Sequence, residues 1–499
     1  MKSKELLFEL IHSLTKSEKR FVKLNAQLHG GNKVYLKLLD AIMKQKEYNE
    51  EELKSVFDGE DFTKQFSVAK NYLQNFILKQ LRQYHSGLKV NIECKNLLID
   101  IEILFWKGQY KLAEKLIAKT EKIANKYELF LILEELNYWN ERIHSALLKL
   151  DQSGVKNTTE KHQNNLSKYQ NIIDYNELRN EVQLLIKESE TIRDKSELKR
   201  YQKLINHPLL KDMNNAQSFY AKYSYFVLNG VINSVVGNVN EAKRYQNNLL
   251  KYIEGNKQFI EENIILYTAV IHNLIKEALI ENDFERFDVY LDTLKKLDLK
   301  MPHEKANVFS KLCLFELRYY IQHNQLEKAK YFIENTVKEY TGLNSILNKQ
   351  HEYLLNYQTT LVYFLLGDNH GALKWINKLI NEPSKNLRVD IRCRAYMLNI
   401  IIHFERENME LIPYLVKTTL NYLRSIKTLR KTDEFFITMF NSIPLASNKR
   451  ELVRFLTQKK VEISKIKSKS IMVEESDYLD WMESKIQNTS VSAIVAQRI

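Results

Sequence analysis

Glycine and proline are scarce in this sequence. Its 499 residues contain 12 glycines and 5 prolines, whereas an average protein carries roughly 7% glycine and 5% proline. β-Sandwiches and barrels need turn residues every few positions, and glycine-rich phosphate loops need a backbone that takes positive φ, so both are disfavoured. Because 44% of the residues are hydrophobic and 27% are charged, the composition also argues against a disordered or membrane-embedded chain. It predicts long helices joined by tight turns.

Cysteines and long apolar runs are scarce as well. Cys94, Cys313 and Cys393 are far apart and form no CxxC pair, which is typical of plain thiols in a reducing compartment. The first twenty residues lack a secretory signal, because polar residues interrupt their apolar stretch and no small-residue cleavage site follows. No uncharged run approaches the ~18 residues of a transmembrane helix. We therefore expect a cytoplasmic protein without a membrane segment.

The sequence also lacks the common motifs of catalysis. No GxGxxG, GxxxxGK[ST], GxSxG or HExxH occurs, and none of the 12 histidines lies three or four residues from another. Dinucleotide sites, phosphate loops, nucleophile elbows and helix-borne zinc sites are therefore disfavoured. We expect no catalytic residue, no cofactor and no metal, and hence a protein that is not an enzyme.

The positive charge lies in two parts of the chain. Residues 1–90 hold 16 basic and 11 acidic side chains and residues 385–470 hold 18 and 8, whereas residues 91–384 are almost balanced with 39 and 38. Charge gathered in this way favours surfaces that contact something anionic. The alternative is that both regions are simply well solvated.

A repeat becomes visible at the turns. Each unit has a Gly or Asn followed five positions later by a small or apolar residue, as in Gly237/Ala242, Asn282/Phe287, Asn324/Ala329 and Gly367/Ala372, more weakly in Asn408/Pro413, and earlier in Gly108/Ala113. From position 237 onward the turn residues are 41 to 45 positions apart. The pattern predicts a helix, a turn closed in the left-handed region, and a second helix. Stacked hairpins of this kind would form an all-α solenoid, with two degenerate units between residues 128 and 210.

These hairpins resemble tetratricopeptide repeats. The Gly367-Asp368 turn with Ala372 matches the motif, Gly230 lies seven positions before Gly237 where the family favours a small residue, and Pro383 lies near a repeat end. The period exceeds the usual ~34 residues, so the long-helix variants of bacterial regulators are more similar. The resemblance covers residues 91–430 and implies a right-handed α-solenoid whose concave surface binds a protein or peptide.

Residues 1–90 follow a different pattern and are predicted to form a separate helical unit. Thr15 and Glu18 form a capping box, Asn49 can cap a short helix, and a last helix is expected over Phe66 to Tyr84. The order of a short and then a long helix resembles a helix-turn-helix, although no β-wing is readable. The polar face of the long helix supplies candidate nucleic-acid contacts, namely Lys70, Asn71, Gln74, Lys79 and Arg82. The alternative is an ordinary solvated face.

The basic C-terminal region contains two candidate partner-binding stripes. One is expected to line a groove and comprises Arg388, Arg392, Asn399 and His403. The other follows one edge of a later helix at seven-residue intervals and comprises Lys417, Arg424 and Lys431. No acidic residue lies between positions 413 and 432, so these cations lack nearby partners and can contact phosphate or carboxylate groups. Solvation is again the alternative.

The predicted organisation is therefore an N-terminal unit (1–90), a repeat region (91–445), basic capping helices (446–486) and a flexible tail (487–499). The leading hypothesis is a non-enzymatic cytoplasmic scaffold or adaptor that binds a protein or peptide partner through the concave surface. The alternative is a transcriptional regulator with N-terminal DNA-binding helices and a sensor or dimerisation domain. A third hypothesis is an RNA- or ribosome-associated adaptor that uses the basic C-terminal edge. The oligomeric state is left open.

Overall fold

The structure is a computed structural model that describes residues 6–28, 33–149, 152–188, 195–341, 348–383, 387–426, 429, 431–443, 448–466 and 476–497. Its described residues form helices and connecting turns, with no β-strand among them. Within these ranges, no helix is both long and apolar enough to cross a bilayer. The chain divides into two compact units. The first is Met1–Arg179 with Asp212–Tyr225 and Glu254–Asn263, and the second is Asn180–Lys211 with Phe226–Ile253 and Ile264–Ile499.

The first half of the chain contains fourteen of the helices. They are α1 (Leu6–Ser13), α2 (Lys16–Leu28), α3 (Lys33–Lys44), α4 (Glu50–Val56), α5 (Phe66–Tyr84), α6 (Val90–Trp106), α7 (Tyr110–Lys126), α8 (Phe130–Ala146), α9 (Gln152–Glu188), α10 (Lys195–Ile205), α11 (Pro208–Lys211), α12 (Phe219–Val235), α13 (Val239–Glu254) and α14 (Lys257–Glu262). The interval in which two degenerate hairpins were expected holds helices α8 to α11, and the 37-residue α9 is longer than every other helix described.

The second half contains the remaining twelve. They are α15 (Ile264–Ile280), α16 (Phe284–Lys295), α17 (Pro302–Gln322), α18 (Leu326–Thr341), α19 (Lys349–Leu365), α20 (Asn369–Ile380), α21 (Val389–Glu405), α22 (Ile412–Ser425), α23 (Lys431–Met439), α24 (Lys449–Ile466), α25 (Ser476–Ile486) and α26 (Val491–Ala496). Helix α26 is a correction to the predicted flexible tail, because its Ile494 side chain is buried and the helix packs on α25.

Residues 1–90 build a hydrophobic cluster of their own. Its buried side chains run from Leu7 to Ile77, and a second cluster in the same unit begins at Val90. The predicted capping box is confirmed, since Thr15 N–H donates to Glu18 and Glu18 N–H donates to the Thr15 hydroxyl, at 2.7 and 3.2 Å. The predicted cap at Asn49 and the predicted limits of α5 are confirmed as well.

The hairpins of the second unit share one turn geometry. The residues at Gly237, Asn282, Asn324 and Gly367 have φ between 52° and 86°, as predicted, and the earlier Gly108 has φ 69°. In each case the next residue donates its N–H to a carbonyl oxygen five positions earlier, which is the Schellman motif that ends a helix. Sequence reasoning missed the same geometry at Glu128 and Leu148.

The fifth turn differs from its prediction by one position. Glu407 has φ 58°, whereas Asn408 has φ −79° and precedes the next helical turn. Counted from Glu407, the fifth following residue is Ile412, which is buried, whereas the predicted Pro413 is exposed. The corresponding residues of the other hairpins are also buried, namely Ala113, Ala242, Phe287, Ala329 and Ala372. Position five after the turn is thus the point where each second helix enters the core.

Helices of the second unit pack as neighbouring pairs, α15 with α16, α17 with α18, α19 with α20 and α21 with α22. The first helices of successive pairs also contact one another, α15 with α17, α17 with α19, and α19 with α21. These four first helices therefore form a continuous layer. Polar side chains on three of them meet at the site described next.

Candidate functional site

A buried lysine lies at the centre of the layer of first helices. Lys311 on α17 is 5% exposed, and its Nζ donates to the hydroxyl of Thr268 on α15 at 3.0 Å. The Thr268 hydroxyl in turn donates to the carbonyl oxygen of Ile265 at 3.0 Å. In the part of the chain that the structure describes, Lys311 makes no ion pair and no other hydrogen bond. Buried charges in proteins are normally paired, so this ammonium group is unusual.

Two histidines lie beside the lysine. The Ser310 hydroxyl donates to the carbonyl oxygen of Asn307 at 2.8 Å, which leaves its oxygen to accept from Nδ1 of His351 at 2.7 Å. The rings of His351 on α19 and His272 on α15 are nearly parallel, with centroids 6.4 Å apart. The Nδ1 atom of His272 is buried without a hydrogen-bond partner. We call Thr268, His272, Ser310, Lys311 and His351 the Lys311 cluster.

Burial and positive charge determine the protonation of this cluster. Burial lowers the pKa of Lys311 to about 8, so its amine is mostly charged at neutral pH. Burial, and then the charges of Lys311 and Lys276, lowers the pKa of His272 to about 3. Burial, Lys311 and Arg388 lower the pKa of His351 to about 4. Both imidazoles are therefore neutral at pH 7, and the cations that act on them come from three different parts of the second unit.

The chemistry of the cluster favours binding of an anion. It combines one ammonium group, neutral imidazole nitrogens and hydroxyl groups, and no carboxylate contributes to the pKa shifts of its lysine or histidines. Ser310 and His351 resemble the nucleophile and base of a hydrolase, but an imidazole with a pKa near 4 is a weak base at neutral pH. No group of three metal-ligating side chains occurs among the described residues.

The stripe predicted to line a groove is largely buried, and this is a correction. Arg392 is 2% exposed, since its guanidinium donates to the Tyr353 hydroxyl at 3.0 Å and to the Glu382 carbonyl oxygen at 2.8 Å. Asn399 is also buried. Both side chains lie inside the packing of α21, and contacts with Tyr353 and Glu382 hold Arg392 there. Neither can contact a partner in this arrangement.

The other two members of that stripe lie at the ends of α21. Arg388 precedes the helix with φ 43°, and its charge acts on His351. His403, in the last turn, is partly buried and lies 3.0 Å from the side-chain nitrogen of Asn408. Burial, and then the charge of Arg406, lowers the pKa of His403. Only Arg388 thus lies close enough to influence the Lys311 cluster.

The predicted basic edge is partly neutralised. Arg424 on α22 pairs with Glu434 of the following helix at 2.6 Å, so the expectation that it lacks a partner is wrong. Lys417 is exposed and forms no ion pair with a described residue. The backbone of Lys431 begins α23, but its side chain lies outside the described residues. One of the three predicted cations is thus seen to be free, which weakens the hypothesis of an RNA-binding edge.

The candidate nucleic-acid face on α5 is only partly available. Lys70 is a correction, because its Nζ lies 2.7 Å from a Glu50 carboxylate oxygen and 3.2 Å from the Tyr48 hydroxyl, and its side chain is largely covered. Gln74 is partly buried. The exposed members of the predicted face are Asn71, Lys79 and Arg82. They share one side of the helix and could still contact a phosphate backbone.

No β-wing follows α5, and the turn that precedes this helix contains a glycine. Residues 85–89, all of which the structure describes, connect α5 directly to α6 and leave no room for a β-wing. Between α4 and α5, Gly59 has φ 85°, so a glycine does mark this turn. The geometry is that of a helical unit with one exposed polar side.

The sequence did not lead to the Lys311 cluster, although a signal was present. Ser310 and Lys311 interrupt the apolar run of α17, and His272 lies within the equally apolar α15. A lysine or histidine in a helix that must be buried on two sides needs a reason. Such positions are better markers than charges on a solvated helix edge.

Comparison of the chain with protein-family models, with curated proteins and with solved structures found no match. Its function is therefore inferred from the geometry of the site.

Proposed function

We propose that this chain is a non-enzymatic cytoplasmic scaffold or adaptor, a right-handed solenoid of tetratricopeptide-like hairpins that binds a protein or peptide partner. The partner would contact the layer formed by the first helices α15, α17, α19 and α21. The observation that carries the proposal is the Lys311 cluster, a buried and uncompensated positive charge within that layer. A group complementary to it must come from outside the described residues.

Two features support binding rather than structural use of the cluster. Burying a charged group costs roughly several kcal/mol unless an opposite charge pairs with it. The Thr268 hydroxyl is a weak substitute for such a counter-ion. A well-packed apolar side chain at position 311 would serve the fold better. The rigid layer of helices would also hold the cluster in place before binding, which reduces the entropic cost of association.

Affinity capture with matched variants tests the proposal. Wild-type protein, Lys311→Met and Lys374→Gln would be immobilised and exposed to native lysate at several salt concentrations. We expect a stoichiometric protein that wild type and Lys374→Gln retain and Lys311→Met loses. Because Lys374 is exposed on the second helix α20, its substitution controls for the loss of one positive charge. Identical recovery on all three columns, or no recovery on any of them, would contradict the proposal.

A second candidate function is DNA binding by residues 1–90, as part of a transcriptional regulator. The observation in its favour is the exposed side of α5 with Asn71, Lys79 and Arg82. Duplex DNA would be titrated at about 50 mM salt, where phosphate contacts are strong. Lys79→Glu with Arg82→Glu should abolish binding, whereas Lys64→Glu, on a side chain that is 80% exposed next to the same helix, should weaken it less. Absence of binding by the wild-type protein would refute this function.

A further inference from the structure

We propose that the Lys311 cluster is a binding site for a single carboxylate group. The site itself requires only a carboxylate, whether free in solution or carried by a polypeptide. The statement that a partner carries it rests on the proposed function.

The charge of Lys311 determines the charge that the ligand must have. Lys311 supplies one positive charge that no described carboxylate neutralises, and the nearest histidines are neutral. One unit of negative charge therefore balances the site, which fits a carboxylate. A phosphate group carries up to two charges and is more often bound by arginine forks. None of the five residues of the cluster is an arginine, and Arg392 is held by Tyr353 and Glu382.

Lys311 and His272 supply the hydrogen-bond donors for this ligand. An ammonium group has three N–H bonds, and the contact with Thr268 uses one, so two remain for a carboxylate oxygen. His272 adds a buried Nδ1 without a partner, which can present an N–H in one tautomer. Together these two residues offer three N–H bonds to a carboxylate.

Lys311, Thr268 and Ser310 are buried, whereas His272 and His351 are partly exposed. A ligand would therefore approach Lys311 from the side of these two histidines.

The test uses the full chain and small anions as probes. Thermal unfolding would be followed in acetate, inorganic phosphate and chloride at constant ionic strength. Ligands that bind only the folded state raise the midpoint with concentration, so acetate should raise it relative to chloride. We expect the apparent Kd of acetate to weaken at least ten-fold in Lys311→Met and to stay unchanged in Lys374→Gln. Stabilisation by phosphate alone would overturn the carboxylate assignment, and equal midpoints in all three salts would overturn the site.

A second measurement does not depend on the folding of a variant. Wild-type protein would be treated with a lysine-acylating reagent in acetate and in chloride, and the modified lysines would be quantified by mass spectrometry. Acetate should slow the modification of Lys311 several-fold without changing that of Lys374. Equal rates at Lys311 in both salts would contradict the proposal.

A final arm separates the two sources of the carboxylate. If a captured partner carries it, acetate should elute that partner from the immobilised protein more effectively than chloride does. If acetate binds at Lys311 and no partner is captured, the carboxylate site stands and the scaffold function fails. If a partner is captured but acetate neither binds nor displaces it, the scaffold function stands and the carboxylate site fails.

Discussion

Replacement of Lys311 by methionine should stabilise the protein in the absence of a bound anion. Burial lowers the pKa of this amine from 10.5 to about 8, and each pKa unit corresponds to about 1.4 kcal/mol. The folded state therefore disfavours the charged form by about 3 kcal/mol. Methionine keeps the length of the side chain but loses the hydrogen bond to Thr268, which contributes about 1 kcal/mol. The net gain should be about 2 kcal/mol at pH 7.

Calorimetry of the full chain can detect a gain of this size. The second compact unit has roughly 300 residues, so at about 2 cal/mol/K of unfolding entropy per residue the midpoint should rise by about 3 °C. The measurement would be made in chloride, because a bound carboxylate would reverse the sign. The matched control is Lys417→Met, which removes an exposed charge and should change the midpoint little.

The stability gained by Lys311→Met should depend on pH. Between pH 8 and 10.5 the unfolded chain binds a proton at Lys311 that the folded chain has released, so wild-type stability at this position rises with pH. The advantage of Lys311→Met should therefore shrink as the pH increases through this window. A lower midpoint for Lys311→Met at pH 7, or an advantage that is the same at pH 7 and pH 10, would refute the reasoning.

Three further predictions concern protonation and backbone geometry. Because the pKa of His351 falls from 6.5 to about 4 on folding, the wild type should lose stability as the pH falls through this range. His351→Gln should remove about 3 kcal/mol of that loss at pH 4, as measured by unfolding titrations. A Cβ at Gly371 would lie 2.5 Å from a tyrosine ring, whereas one at Gly230 would meet only ordinary contacts of 3.7 Å or more. Calorimetry should therefore show a loss of about 1–3 kcal/mol for Gly371→Ala and a gain of up to about 1 kcal/mol for Gly230→Ala. Glu407→Gly should stabilise the protein by about 1 kcal/mol, because Glu407 has a left-handed backbone conformation that glycine adopts without strain. Asn408→Gly should not stabilise it, and the opposite result would contradict the assignment of the turn to Glu407.

The turns could be predicted because their signal is local. Only glycine and asparagine enter the left-handed region readily, so Gly237, Asn282, Asn324 and Gly367 could be recognised one residue at a time. Glu407 could not, because glutamate carries no such preference and the neighbouring Asn408 attracted the assignment. The fifth turn is recognisable only in the structure, where Ile412 is buried five positions after Glu407.

The site could not be predicted because its contacts span long stretches of the sequence. Lys311 bonds a residue 43 positions away, and Arg392 is buried through a tyrosine 39 positions away. Helical periodicity shows which side of a helix is polar but not which neighbour covers it. The polar stripe of α21 therefore became core, and Lys311 emerged as a buried charge only in the folded arrangement.

The central claim is that a partner binds on the layer of first helices. A photo-crosslinking amino acid would be placed at exposed Lys276 on α15, a first helix, and separately at exposed Val289 and Tyr331 on the second helices α16 and α18. In native lysate, we predict a discrete crosslinked species from position 276 that disappears when Lys311→Met is added, and none from positions 289 and 331. Crosslinks from the second helices alone, or a species at position 276 that Lys311→Met leaves unchanged, would contradict the account.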